Sequence, residues 1–177
     1  MGQYYKPTIL GKNKKTVKKW LYSFEYGNGL KLMEHSWIGN AFVSTFENEL
    51  INNPQIIVWG GDYAENCKNR KSNVYDRCKD KLKISPIKIM IDEKYRYIIN
   101  HTKKKFIDKT KVPVTNESNG FKWRIHPLPL MTCEGNGLGG GDYRNESDLI
   151  GKWSRNLISI ESKTPKDYQE ILFDLKE

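Results

Sequence analysis

Hydrophobic and polar positions along this chain follow two periods, and each change of period marks an element. Residues 3–9 (QYYKPTI) and 20–26 (WLYSFEY) are dense in aromatic and β-branched side chains and flank a basic turn at Gly11-Lys12-Asn13. That pattern predicts a hairpin with a long connection. Tyr26-Gly27-Asn28-Gly29-Leu30 reads as a tight turn, with 30–33 as a short return strand closed by Trp37-Ile38-Gly39. The period then lengthens. Behind Asn40, a good N-cap, Phe42, Val43, Phe46 and Leu50 recur at helical spacing until Asn52-Asn53-Pro54 ends the run. Residues 55–59 (QIIVW), stopped by Gly60-Gly61, form a continuous apolar run of strand length, which predicts a central buried strand.

Beyond Ala64 the chain turns polar and basic, and Val74, Cys78 and Leu82 at i, i+4 and i+8 predict one surface helix in 64–83. It lies in a stretch, about 67–119, that reads as a basic insertion. Residues 84–91 and 95–99 look like strands, 108–119 is turn-rich, and 121–125 (FKWRI) alternates as a strand does. The HPLPL segment at 126–130 is expected to be extended, because each proline pushes its predecessor out of the α region and cannot donate to a ladder. Residues 157–161 (LISIE) form the last strand, and Thr164-Pro165 opens a helix over 166–175. Strands dominate, with two or three helices. The expectation is an α+β fold with a mainly antiparallel sheet, one compact domain over 1–177, and the glycine-rich loops gathered at one end.

The least protein-like pattern is 133–143, CEGNGLGGGDY, with five glycines in eleven residues. Core packing does not call for such density. It implies positive φ at several positions or a backbone closely approached by something else, while a long mobile connection gives the same composition. Gly135-Asn136-Gly137-Leu138 repeats Gly27-Asn28-Gly29-Leu30, and an Ile-Gly pair, an apolar strand and an Asp-Tyr pair follow each copy. Duplication and chance recurrence both account for this.

Charge narrows the partners. Lys and Arg outnumber Asp and Glu by 30 to 21, a formal charge of +9, concentrated in runs at 12–19, 67–83 and 103–105. Anionic partners follow, namely nucleotides, nucleic acid or acidic proteins, although solvated faces also carry such runs. Three cysteines without a close C-x-x-C pair argue against a disulfide framework or a cysteine-rich zinc site. No charged-then-apolar leader and no apolar run near ~18 residues is present, so a cytoplasmic protein without a membrane partner is expected.

The opening MGQYYK, the YGNGLKLME stretch at 26–34, Gly60-Gly61-Asp62-Tyr63-Ala64-Glu65 and the GNGLGGGDYR loop together resemble a family of short uncharacterised bacterial and phage proteins. The likeness covers both ends of the chain and omits about 67–119. Where that family carries Gly-x-Trp-Ala-Gly-Asp, this chain has Gly151-Lys152-Trp153-Ser154-Arg155-Asn156, without the acid, which counts against a metal role for that loop. The resemblance implies a shared fold and site and a part in the conflict between phage and host, and it implies no chemistry.

Candidate chemistry gathers at the glycines. Consecutive backbone N–H groups at Gly137, Gly139, Gly140 and Gly141 would cradle phosphate oxygens, with Arg144 and Arg155 adding charge-assisted hydrogen bonds. Tyr63, Tyr143 and Trp153 offer faces for a nucleobase, and Asp62 and Asp142 complete the set. The leading expectation is a small binding protein for a nucleotide-derived anionic ligand, sequestering a host immune signal without turnover. A homodimer with shared pockets suits such a role. The alternatives are an inhibitor whose basic face occupies nucleic acid or a host nucleic-acid-binding protein, and a metal-dependent phosphodiesterase or nuclease using Asp62, Glu65, Glu134 and Asp142 with His35 and His126. No P-loop or dinucleotide-binding glycine motif is present, no spacing ties the acids into a metal motif, and no cofactor is identified.

Overall fold

The apolar run at 55–59 becomes the strand on which everything else is hung. In a computed structural model describing residues 2–64, 73–116, 120, 122–135, 143 and 147–175, the strands are β1 (Tyr5–Leu10), β2 (Val17–Trp20), β3 (Gln55–Gly61), β4 (Leu82–Lys83), β5 (Tyr97–Asn100), β6 (Lys105–Asp108), β7 (Thr115–Asn116), β8 (Lys122–Trp123), β9 (Cys133–Glu134), β10 (Leu157–Glu161) and β11 (Gln169–Glu170). The helices are α1 (Ala41–Asn48), α2 (Val74–Arg77) and α3 (Pro127–Thr132). One sheet runs β11-β6-β5-β10-β3-β1-β2-β4, and β7 and β8 pair separately. The fold is α+β. Its sheet is mostly antiparallel, with parallel pairs at β2·β4, β3·β9 and β11·β6.

β3 is buried on both faces, as its unbroken apolar sequence requires. Ile57 and Trp59 face the main core, where Phe42, Val43, Phe46 and Leu50 of α1 and its C-terminal turn are all fully buried. Val58 faces the smaller cluster of Leu10, Val17, Val74 and Cys78. Gly60 lets α2 approach, since a Cβ there would lie 3.3 Å from the Val74 side chain. α1 begins as its sequence dictates, with Asn40 Oδ1 accepting from the Phe42 N–H at 2.8 Å and the Val43 N–H at 3.3 Å. Pro7 is tolerated inside β1 because its carbonyl accepts from Leu21 N–H, just past β2. A strand residue's N and O point to the same side, so the missing N–H faces that edge.

Several elements depart from their sequence patterns. Residues 23–26 and 32–34 are 3₁₀ turns, the first ended by Gly27 at φ 70°, in place of strands. The HPLPL segment is helical: only His126 is extended (ψ 121°), and its ring Nδ1 caps the helix by accepting from Leu128 N–H at 3.1 Å. Its prolines sit in the first turn, where N–H groups have no helical partner to lose. Among the described residues of 64–83, the helix expected there is the single turn α2, and Leu82 lies in β4. Residues 84–91 make no ladder; they cross α1 as a strap tied by the Ile87 carbonyl to Tyr26 OH (3.1 Å) and Thr45 Oγ1. The stretch 166–175 holds β11 instead of a helix, because Gln169 and Glu170 pair with Lys105 and Phe106. β5 and β6, from the stretch read as an insertion, pair inside the main sheet beside β10.

Four described non-glycine residues have left-handed backbone: Lys14 (φ 58°), Asn52 (48°), Lys104 (52°) and Arg155 (57°). Lys14 and Lys104 sit in hairpin turns where Gly or Asn fits with less strain. Lys14→Gly and Lys104→Gly are each expected to stabilise the fold by about 0.5–1 kcal/mol. Urea midpoints unchanged or lowered in both variants would refute this.

Candidate functional site

Gly137, Gly139, Gly140, Gly141, Asp142 and Arg144 lie outside the described residues, as does Glu65. The flanks of the glycine loop are described. Gly135, at the start of the loop, and Gly61, at the end of β3, both pack on the buried Gln3 side chain, where an added Cβ would come within 2.3 Å and 2.6 Å of it respectively. At Gly61, where a Cβ would also lie 2.6 Å from the Glu134 carbonyl, packing requires glycine; at Gly135 a side chain would have to displace the Gln3 amide. Asp62 Oδ1 accepts from Tyr4 N–H at 2.9 Å, closing the end of the β1–β3 pair, and Tyr63 beside it is 40% exposed. Tyr143 is half-buried against the main core. Trp153, 1% exposed and hydrogen-bonded through its backbone N–H to Met131 O at 2.7 Å, is a core residue and presents no open face for a base.

Arg155 sits at a fork. β10 pairs with the first two residues of β3 and β9 with Trp59 and Gly60 on the same edge, so the edge is shared and the chain must leave it in between. Arg155 fills that gap in left-handed backbone, its N–H on Ile57 O at 2.9 Å. Its guanidinium grips Glu134 of β9 with two bonds, 2.6 and 2.8 Å, and Ser154 Oγ donates to the same carboxylate at 2.5 Å. Burial alone would raise the Glu134 pKa, but Arg155 and Ser154 hold it below the usual carboxylate value. Arg155 is therefore already committed to a carboxylate.

A third guanidinium contact shows what the fork organises. Arg155 Nη1 reaches Lys14 O at 2.8 Å and Arg77 Nη1 reaches Lys15 O at 2.5 Å, fixing the β1–β2 turn against the fork. From the other side Lys103 Nζ donates to Lys152 O at 2.6 Å. Two lysine runs distant in sequence thus flank the 152–155 turn. Lys12, Lys14, Lys15, Lys103, Lys104 and Lys152 make no ion pair among the described residues.

A second region went unseen in the sequence. A cleft of about 410 Å³ opens between the strap, α1 and the turn after β6, with Glu47, Lys109, Arg96 and Arg124 among its lining residues. Glu47 and Lys109 are 3% and 10% exposed at the side chain and form an ion pair through Oε1; His126 Nε2 lies 3.1 Å from that oxygen. Burial would raise the Glu47 pKa, yet the neighbouring His126 and Lys109 pull it down to about 2. Burial lowers the His126 pKa, and with Nδ1 accepting from Leu128 the neutral ring carries its proton on Nε2, toward Glu47. At the rim, Arg96 donates to Asp108 at 2.5 and 3.2 Å, while Arg124 is exposed with no side-chain partner among the described residues.

Among the described residues no group of three or more His, Cys, Asp and Glu side chains is placed to hold a metal ion, and no helix is long and apolar enough to cross a membrane. His35 and His126, the two histidines considered as ligands, are both buried and serve the core and a helix cap. No protein-family model, curated protein or solved structure matches this chain.

Proposed function

We propose that this chain is a binding protein for a phosphate-bearing, nucleotide-type ligand, which it holds without turning over. The observation that carries the reading is the ridge of lysines without ion pairs among the described residues, from the β1–β2 turn, held by Arg155 and Arg77, and from the 152–155 and β5–β6 turns, tied to each other by the Lys103 Nζ bond to Lys152 O. Cations fixed through backbone contacts keep their charge for a partner, and phosphate oxygens are the acceptors that gain most from them. The glycine loop between Gly135 and Tyr143 would add backbone donors to the same ligand. With the likeness to phage proteins, the biological role proposed is sequestration of a host nucleotide signal.

A second reading takes the ridge as a track for a nucleic-acid strand, blocking a host protein that binds it. The number of unpaired lysines favours it, since a mononucleotide uses only a few. One experiment separates the two. Mononucleotides, cyclic dinucleotides and a short single-stranded oligonucleotide are titrated against the wild type and a Lys14→Gln/Lys15→Gln/Lys103→Gln variant over a range of salt. The variant is expected to bind about tenfold or more weakly, with the ligand recovered intact. A preference for the oligonucleotide, with a salt slope that falls by about 0.7 for each phosphate-neutralising lysine replaced, selects the strand reading. Equal affinity of wild type and variant for every probe sinks both, and hydrolysis of the ligand sinks the claim of binding without turnover.

A further inference from the structure

The cleft over Glu47 has the features of a built site, and it uses none of the ridge residues. At its floor the Glu47 carboxylate is almost fully buried, yet Lys109 donates to Oε1, His126 Nε2 stands 3.1 Å from the same oxygen outside hydrogen-bond geometry, and Oε2 has no hydrogen-bond partner among the described residues. Ser44, 4% exposed and one helical turn earlier on α1, lines the same floor, and its hydroxyl likewise has no partner among the described residues. A buried charged acceptor left open toward a cavity is a group waiting for a donor.

The chemistry of that donor follows from its neighbours. Lys109 already neutralises Glu47, so a second ammonium on Oε2 would stand beside the first and be repelled. A neutral N–H, from an amide or an aromatic amine, gains the charge-assisted bond without that repulsion. Above the floor Ile38, Ile91 and Tyr95 give one part of the wall an apolar face, with the exposed Met90 beside them. At the rim Arg96 is taken by Asp108 and Asp92 by Lys94 at 3.3 Å, which leaves Arg124 as the open cation among the lining residues, with Glu93 as the open acid. A ligand with one anionic group suits this rim, whereas a run of phosphates would meet Asp92 and Glu93. The volume, about 410 Å³, falls at the lower end of the ~300–1,000 Å³ usual for small-molecule sites.

We infer that this cleft binds a nucleoside monophosphate with an amino-bearing base, the exocyclic amine donating to Glu47 Oε2 and the phosphate resting on Arg124. The base lies against Ile38 and Tyr95, and the strap residues Met90 and Ile91 cover it.

The test is an amide-resolved NMR titration with AMP, adenosine, and the monophosphate of purine riboside, which lacks only the amine. AMP is expected to give saturable shifts at Gly39, Ser44, Arg96, Thr110 and Arg124. Arg124→Ala, an exposed change that leaves the core intact, should weaken AMP about tenfold and leave adenosine unaffected. In Glu47→Gln/Lys109→Met, which removes the charge on the acceptor, the preference for AMP over its amine-free analogue should shrink. Equal AMP affinity in the wild type and Arg124→Ala would overturn the inference, as would an absence of shifts at these amides at millimolar AMP. Shifts confined to residues 12–15, 103–104 and 152–155 would also overturn it, and would leave the ridge reading standing.

Discussion

Glu47→Gln is expected to lower the free energy of unfolding by about 3–5 kcal/mol, because it leaves the Lys109 ammonium buried without its counter-charge. Both side chains are nearly inaccessible, at 3% and 10%, so an ammonium left without its partner is poorly solvated there. The loss should reflect the orphaned charge more than the worth of the pair itself. Glu47→Gln/Lys109→Met, which removes both charges and fills the space with an apolar chain of similar length, is therefore expected to recover most of the loss. Urea denaturation with an unchanged slope is the measurement. A single variant within ~1 kcal/mol of wild type would show that solvent reaches the pair and that the floor of the cleft is wetter than the structure has it. A double variant as unstable as the single would show that the ion pair carries shape as well as charge.

Glu47 was in fact legible, and its neighbours hid it. It stands four residues after Val43 and three before Leu50, on the apolar face of the one helix that periodicity predicts well. A carboxylate there must be paired or buried at cost, so its position alone asked for a cation from elsewhere in the chain. Which cation was not readable. Lys109 reaches it through β6, and the KKKFID sequence of that strand reads as a charge run because its lysines precede only two apolar residues. α1, β3 and β10 were readable because each has one dominant period and a clear stop. α3 departs from its pattern because prolines in the first helical turn lose no hydrogen bond, which outweighs their exclusion from ladders. The glycine density at 133–143 stands out in the sequence, but that Gly135 at its start packs on Gln3 together with Gly61 of β3 has no signal in local sequence. Nor does sequence alone disclose that Arg155, singled out as a phosphate donor, is spent on Glu134 and on aiming the Lys14 turn.

Stability is expected to fall by about 3 kcal/mol as pH drops from 6.5 to 4, through His35. This ring is fully buried, 5.0 Å from Phe42, and both nitrogens are used: Nε2 accepts from Trp59 Nε1–H at 3.0 Å, so Nδ1–H is the side that faces Gly29 O at 3.2 Å. Protonating Nε2 would set two N–H groups against each other in the core. Burial accordingly lowers the pKa from 6.5 to about 4. Between those values the unfolded chain binds a proton that the folded chain refuses, and acid favours unfolding by about 1.4 kcal/mol per pH unit. Below pH 4 His35 titrates in both states and its slope ends. Glu47 then takes over: its folded pKa of about 2, against 4.5 ordinarily, means that the stability it supplies is lost between pH 4.5 and 2. His126, also lowered by burial, acts in the same direction as His35. In His35→Gln the slope of stability against pH between 6.5 and 4 should lose about one proton, whatever the variant's absolute stability. An NMR titration of the imidazole in the wild type checks the cause directly. A His35 midpoint near 6.5, or equal slopes in wild type and variant, would place the acid sensitivity elsewhere and would mean that the Trp59 contact does not hold the ring neutral.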